Sequence, residues 1–262
     1  MQYKVARDAE PQFTLLLIAT LLSIGLWIAS WFIPLIGYLV YPLQLFATFI
    51  HEGSHVLAIL LTGNSVQSLT VSPDGSGAVW SQGSGWLSQL FISSAGYLGT
   101  TAFGAALLAW IRFGWSSRSA LYFSAGFVAV MTVVFGIFAP VINFLATVSF
   151  ASVAFTVFSG AIIALGLAAI SRYASPRWAN FALAFLAVQC LLNAVFSLFD
   201  LFFIAAFTNG HSDAANMASA SGLPQVVWVI IWFAVSILMI SAGLRLYAVG
   251  KNKASANSLF ED

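Results

Sequence analysis

The chain is 262 residues long, 61% hydrophobic and 6% charged, with a formal net charge of +1. A soluble domain carries about 25% charged residues, so this chain cannot cover its surface with polar groups, and an integral membrane protein is expected. A charge near zero with no basic patch argues against a nucleic-acid partner. The single cysteine, Cys190, excludes an internal disulfide and a cysteine cage for a metal, and inside an apolar stretch it reads as a packing residue.

In chain order, residues 1–12 form a short polar tail, and 13–248 form one transmembrane domain of about seven helices. The first apolar run, Phe13 to Ile33, is longer than a signal-peptide core and reads as a retained helix. Pro34 to Gly37 reads as a tight turn, and a second span follows over about 38–61. Next comes the only extended stretch. Polar and apolar residues roughly alternate over Val66–Val71, Ser72-Pro-Asp-Gly75 is a turn signal, and Gly77–Ser81 reads as a returning strand, a β-hairpin over about 66–81. The third span, Trp86 to about Trp110, contains Gly96, Gly99 and Gly104, small residues that let helix backbones approach in lipid. Spans follow at about 119–138 and 145–170, then a long one at 178–207 that is expected to be broken. A polar loop at 208–223 and a last span at 225–248 lead to a tail at 249–262.

The distribution of ionisable groups carries the functional signal. Of eight Asp and Glu, only Glu52 and Asp200 fall inside apolar spans, and two of three histidines, His51 and His55, join them. An ionisable group in hydrocarbon costs on the order of 3 kcal/mol or more, so each reads as functional. His51 and His55 are four apart and share one helix face. With Glu52 they spell H-E-x-x-H, two imidazoles for Zn²⁺ and a glutamate that takes a proton from water. A catalytic zinc takes a third protein ligand. Asp200 is the first choice because it is the only other acid inside a span. Asp213 and His211 compete from the 208–223 loop, where solvated turn residues or a helix N-cap from Ser212 or Asp213 is an equally good reading.

"HEGSH" in a transmembrane helix resembles the zinc motif of the site-2 proteases, the intramembrane zinc metallopeptidases. Their second motif has an Asn several residues before an Asp-Gly pair, and Leu192–Asp200 is similar to it, with Asn193 and Asp200 at the two functional positions. Phe196 stands where the family usually has Pro, the Asn-to-Asp spacing is one residue shorter, and Leu201 stands where Gly follows the Asp. A hairpin after the motif helix and the Gly-rich stretch Ser93–Leu108 fit as well, and Ser212-Asp213-Ala214 is similar to a Ser-Asp-Ala found in a compact, divergent branch. The resemblance covers roughly 36–110 and 185–232. It implies Zn²⁺ held by His51, His55 and Asp200, Glu52 as general base and acid, and Asn193 steadying the substrate backbone or oxyanion. The implied substrates are membrane proteins or transmembrane peptides in the lipid bilayer, most simply of the cell membrane. The hairpin would pair with an unwound substrate strand. The alternative is a non-proteolytic scaffold or chaperone that keeps a structural metal site. The resemblance also implies a hairpin on the cytoplasmic side, whereas the basic residues imply the reverse. Two, Lys4 and Arg7, fall on the hairpin side of a seven-span chain, and Arg112, Arg118, Arg172, Arg177, Arg245, Lys251 and Lys253 fall on the other.

Overall fold

The structure is a computed structural model that describes residues 10–30, 32–82, 85–144, 148–208, 210 and 212–248. The polar tails at 1–9 and 249–262 lie outside the described residues. Helices α1 (Glu10–Ser30) and α2 (Pro34–Leu61) lead to strands β1 (Ser65–Val71) and β2 (Gly77–Gln82). Then come α3 (Trp86–Arg112), α4 (Ser117–Val130), a π-helical stretch (Met131–Phe138) and α5 (Ala139–Ile142). The chain continues through α6 (Phe150–Tyr173), α7 (Pro176–Phe207), α8 (Asp213–Ser221) and α9 (Gln225–Ala248).

Among the described residues, six helices are long and apolar enough to cross a membrane: α2, α3, the continuous Ser117–Ile142, α6, α7 and α9. The apolar part of α1, Thr14–Ser30, is shorter, so seven spans is an approximate count. Large apolar side chains such as Phe91, Phe123, Leu165 and Leu238 are exposed, while Thr100, Thr101, Ser124 and Ser236 are buried. That inversion suits a lipid solvent, in which side-chain hydrogen bonds tie helices together. Thr101 Oγ1 donates to Ser236 Oγ at 3.1 Å, and Trp232 Nε1 donates to Ser94 Oγ at 3.0 Å.

Pro34 opens α2 instead of making a turn. Its missing N–H falls where a helix has no acceptor to offer, and its fixed φ is already helical. α2 continues through Pro42 and is buried on several faces from Leu45 to Ile59, which makes it a central helix. The small residues of α3 bring it close. Gly99 lies on Ser54 of α2, and Gly104 lies on Leu191 of α7. The expected break in the 178–207 span is absent: α7 is one helix of 32 residues.

The hairpin forms where its sequence pattern placed it. β1 and β2 pair antiparallel, with Leu69 opposite Val79 and an irregularity between Val66 and Ser68. Ser76 donates its N–H and its hydroxyl to Asp74 Oδ1, which closes the turn and holds that carboxyl below its usual range. Side chains then fasten the hairpin to the bundle. Tyr41 donates to Pro73 O at 2.6 Å and Thr48 to Gly75 O at 2.7 Å, so the tip returns along α2. On the far edge, Thr156 Oγ1 accepts from Val71 N at 2.8 Å, and Asn143 Nδ2 donates to Gln67 O at 3.2 Å.

The 208–223 connection is not wholly loop. Ser212 caps a short helix, its hydroxyl accepting from Ala215 N at 3.2 Å, and Gly222 ends that helix in the left-handed region (φ 76°). Ala214 and Met217 bury one face of α8 in a small core with Leu198 and Leu201 of α7 and Val229 and Trp232 of α9.

Candidate metal centre

α2 turns His51 and His55 to one side, one helical turn apart, with ring centroids 4.8 Å from each other. His55 is held from behind: its Nδ1 lies 2.7 Å from Ile92 O of α3, an acceptor that makes Nδ1 the protonated nitrogen and leaves Nε2 free to face forward. The His51 ring meets Tyr97 of α3 edge-on, centroids 4.6 Å apart, and Tyr97 stacks in turn on Trp232 of α9. Both imidazoles are thus oriented by α3.

The third member of this group is Asp213. Its Oδ2 lies 3.3 Å from His51 Nε2 and 3.3 Å from His55 Nε2. Helix α8 delivers it: Asp213 is the first helical residue after the Ser212 cap, and the burial of Ala214 and Met217 fixes the direction of that first turn. Burial opposes ionisation of the Asp213 carboxyl, and the two histidines outweigh it and hold the group below its usual range. Asp200, the first choice from the sequence, is exposed on α7 and is not in this group. It stands seven residues before the end of α7, about 10 Å of helix, near enough to the helix end to reach a polar layer. His211 lies outside the described residues.

Glu52 is 5% exposed. It lies against the start of β2, where a Cβ on Gly77 would collide with its Oε1 and Cγ. Glu52, both histidines and Asp213 line a cavity of about 840 Å³, with Ala78 to Ser81 of β2 on one wall and Asn193 and Ser197 of α7 on another. Asn193 therefore reaches the same space, and its Oδ1 accepts from Ser197 Oγ at 3.4 Å.

The donor set suits zinc. Two imidazole nitrogens and a carboxylate oxygen converge within 4.8 Å of one another. Ligand atoms about 2.0 Å from one ion at a tetrahedral angle stand about 3.3 Å apart, which is the separation of Asp213 Oδ2 from each histidine nitrogen. The space in front of those nitrogens is kept open by Gly96 of α3, where a Cβ would run into Nε2 of both histidines. Spacing along the chain marked Gly96 only as a point of helix approach. That it, among the glycines of α3, faces the two histidines depends on how α2 and α3 cross. The Ile92 carbonyl left no sequence signal at all.

A family model described as Peptidase M50B-like matches residues 15–243. No curated protein and no solved structure matches the chain.

Proposed function

The chain belongs to the Peptidase M50B-like family, among the site-2 proteases, and from that premise we propose that it is an intramembrane zinc metallopeptidase. The zinc ligands are His51, His55 and Asp213. The observation that carries this reading is the meeting of Asp213 with the two motif histidines beside a buried Glu52, all facing one cavity. Zinc bound there supplies Lewis acidity for a peptide carbonyl and lowers the pKa of water toward 7.

Each of the chain's own groups has a part. Glu52 takes the proton of the attacking water and passes it to the leaving amine. Its place suits that work, because it is packed against Gly77 and lines the same cavity as the two histidines. Asn193 offers an amide N–H to the substrate carbonyl oxygen as charge develops there. The substrate is a membrane-embedded segment that has locally left the helix, since helical carbonyls are already hydrogen-bonded. The outer edge of β1 is engaged by Thr156 and Asn143, while β2 faces the cavity, so β2 is the edge left to pair with an extended peptide.

Glu52→Gln is the test. Purified in detergent and given a transmembrane peptide, the variant retains zinc and loses cleavage by 10²-fold or more, roughly the size of a general-base contribution. Undiminished cleavage contradicts the reading. An inactive wild-type chain that binds zinc, and loses stability in His55→Ala, supports the scaffold reading instead.

A further inference from the structure

We propose that Asp200 selects substrates: its carboxylate stands on the lip of the cavity and takes the cationic side chain of a Lys or Arg that the substrate carries within a few residues of the scissile bond. This rests on the peptidase reading for what occupies the cavity, a membrane-embedded segment in extended form.

The place of Asp200 follows from helix spacing. Neighbours on a helix surface are three or four residues apart. Ser197 is three residues before Asp200, Ile204 is four after it, and Asn193 is two turns before it; all three line the cavity. On the other flank stand Phe196, four before, and Phe203, three after. Phe196 stacks on Trp27 of α1 with ring centroids 4.0 Å apart, and Phe203 is one of the exposed apolar side chains that suit lipid. Asp200 is therefore at the boundary between the cavity face of α7 and its lipid face, and it is exposed there. Its charge reaches Tyr97 on the α3 wall of the cavity, as do those of Asp213 and Glu52.

Among the described residues nothing basic comes near this carboxylate. Their Lys and Arg side chains are Arg112, Arg118, Arg172, Arg177 and Arg245, and none lines the cavity. Arg118 Nη2 donates to Ala174 O at 2.8 Å, so the α3–α4 and α6–α7 connections, with Arg112, Arg172 and Arg177, lie together. Arg177 is twenty-three residues before Asp200 on the same helix, about 35 Å away. Gly243 of α9 lies against Ala105 of α3, which carries Arg245 toward that same end. Inside the cavity the two positive charges of zinc are matched by the carboxylates of Asp213 and Glu52, so Asp200 is the charge left over. An acid in an apolar helix is costly until a partner meets it. A peptide held on β2 shares its cavity with this face of α7. A Lys or Arg of that peptide can lay its apolar stem along the lip while its charged end reaches Asp200. Such residues are common beside the ends of membrane-spanning segments.

The test is a binding experiment on the zinc-loaded Glu52→Gln chain in a nonionic detergent, so that no peptide is consumed. Fluorescent transmembrane peptides carry a single Lys, Gln or Glu at one position, and that position is moved residue by residue along one end of the segment. At one or two neighbouring positions the Lys peptide is expected to bind about fivefold more tightly than the Gln peptide, the size of an exposed ion pair. The Glu peptide is expected to bind more weakly than either, and added salt should shrink the differences. With Asp200→Asn in the same chain the Lys-to-Gln ratio is expected to fall to about one, and with Asp200→Lys the Glu peptide should bind best. Zinc content and melting temperature show that each variant is folded. A Lys preference that survives Asp200→Asn, no preference at any position, or no binding of any peptide overturns the proposal. The readout does not involve cleavage. A charge preference in a wild-type chain that cuts nothing would sink the peptidase reading alone, and cleavage without a charge preference would sink only this one.

Discussion

Gly96 does its work by lacking a side chain. Nε2 of both histidines lies beside it, and a single added methyl group falls on both of them. Gly96→Ala is expected to fold and to lose bound zinc, measured by elemental analysis of the purified protein. Gly166→Ala, at a position with open space around it, is the control and keeps the metal. At this scale the sequence was legible where the chemistry is local. His51, Glu52 and His55 announce themselves because one helical turn brings them together and because ionisable groups stand out in an apolar helix. Asp213 ranked only as a competitor to Asp200, for two physical reasons. Its partner His51 is 162 positions away, a distance no periodicity spans. Asp200 also looked the greater anomaly, an acid in a long apolar run, whereas Asp213 sat among polar residues that excuse it. Burial by α8 is what makes Asp213 unusual, and burial is a property of the fold.

Two small elements, α8 and the hairpin, shape the site. α8 depends on its cap, and Ser212→Ala should cost about 1 kcal/mol, read as a lower melting temperature with zinc bound. The fall should be smaller in the zinc-free protein, where the position of Asp213 matters less. The hairpin depends on Thr156, which satisfies the buried N–H of Val71. Thr156→Val keeps the shape and orphans that donor, a loss of about 1–3 kcal/mol. Hydrogen exchange at Val71 should rise, and cleavage should fall while zinc content does not. The hairpin was readable from alternation and its Ser-Pro-Asp-Gly turn. α8 was not, because nine residues rich in Ala and Ser with Ala214 and Met217 as the buried face make too short a pattern to separate from a loop. Pro34 misled for a related reason: the same residue that opens a turn also opens a helix, and only the chain after it decides.

For the whole molecule, composition alone established a multi-pass membrane protein, and most spans fell where apolar runs put them. What composition does not carry is which spans touch. The centre is assembled from α2, α3 and α8, with α7 and β2 walling the cavity, so metal binding is coupled to the packing of most of the bundle. A ligand that binds only the folded state at a hundred times its Kd adds about 2.7 kcal/mol. Chelation should therefore lower the melting temperature of the wild type and of Glu52→Gln alike, and have little effect on a His51→Ala, His55→Ala double variant. The central claim is the ligand set, and the direct measurement is zinc per chain, after dialysis against a weak chelator, in Asp213→Asn and Asp200→Asn side by side. The structure predicts one zinc in the wild type, one in Asp200→Asn and none in Asp213→Asn. Zinc retained in Asp213→Asn and lost in Asp200→Asn would contradict it.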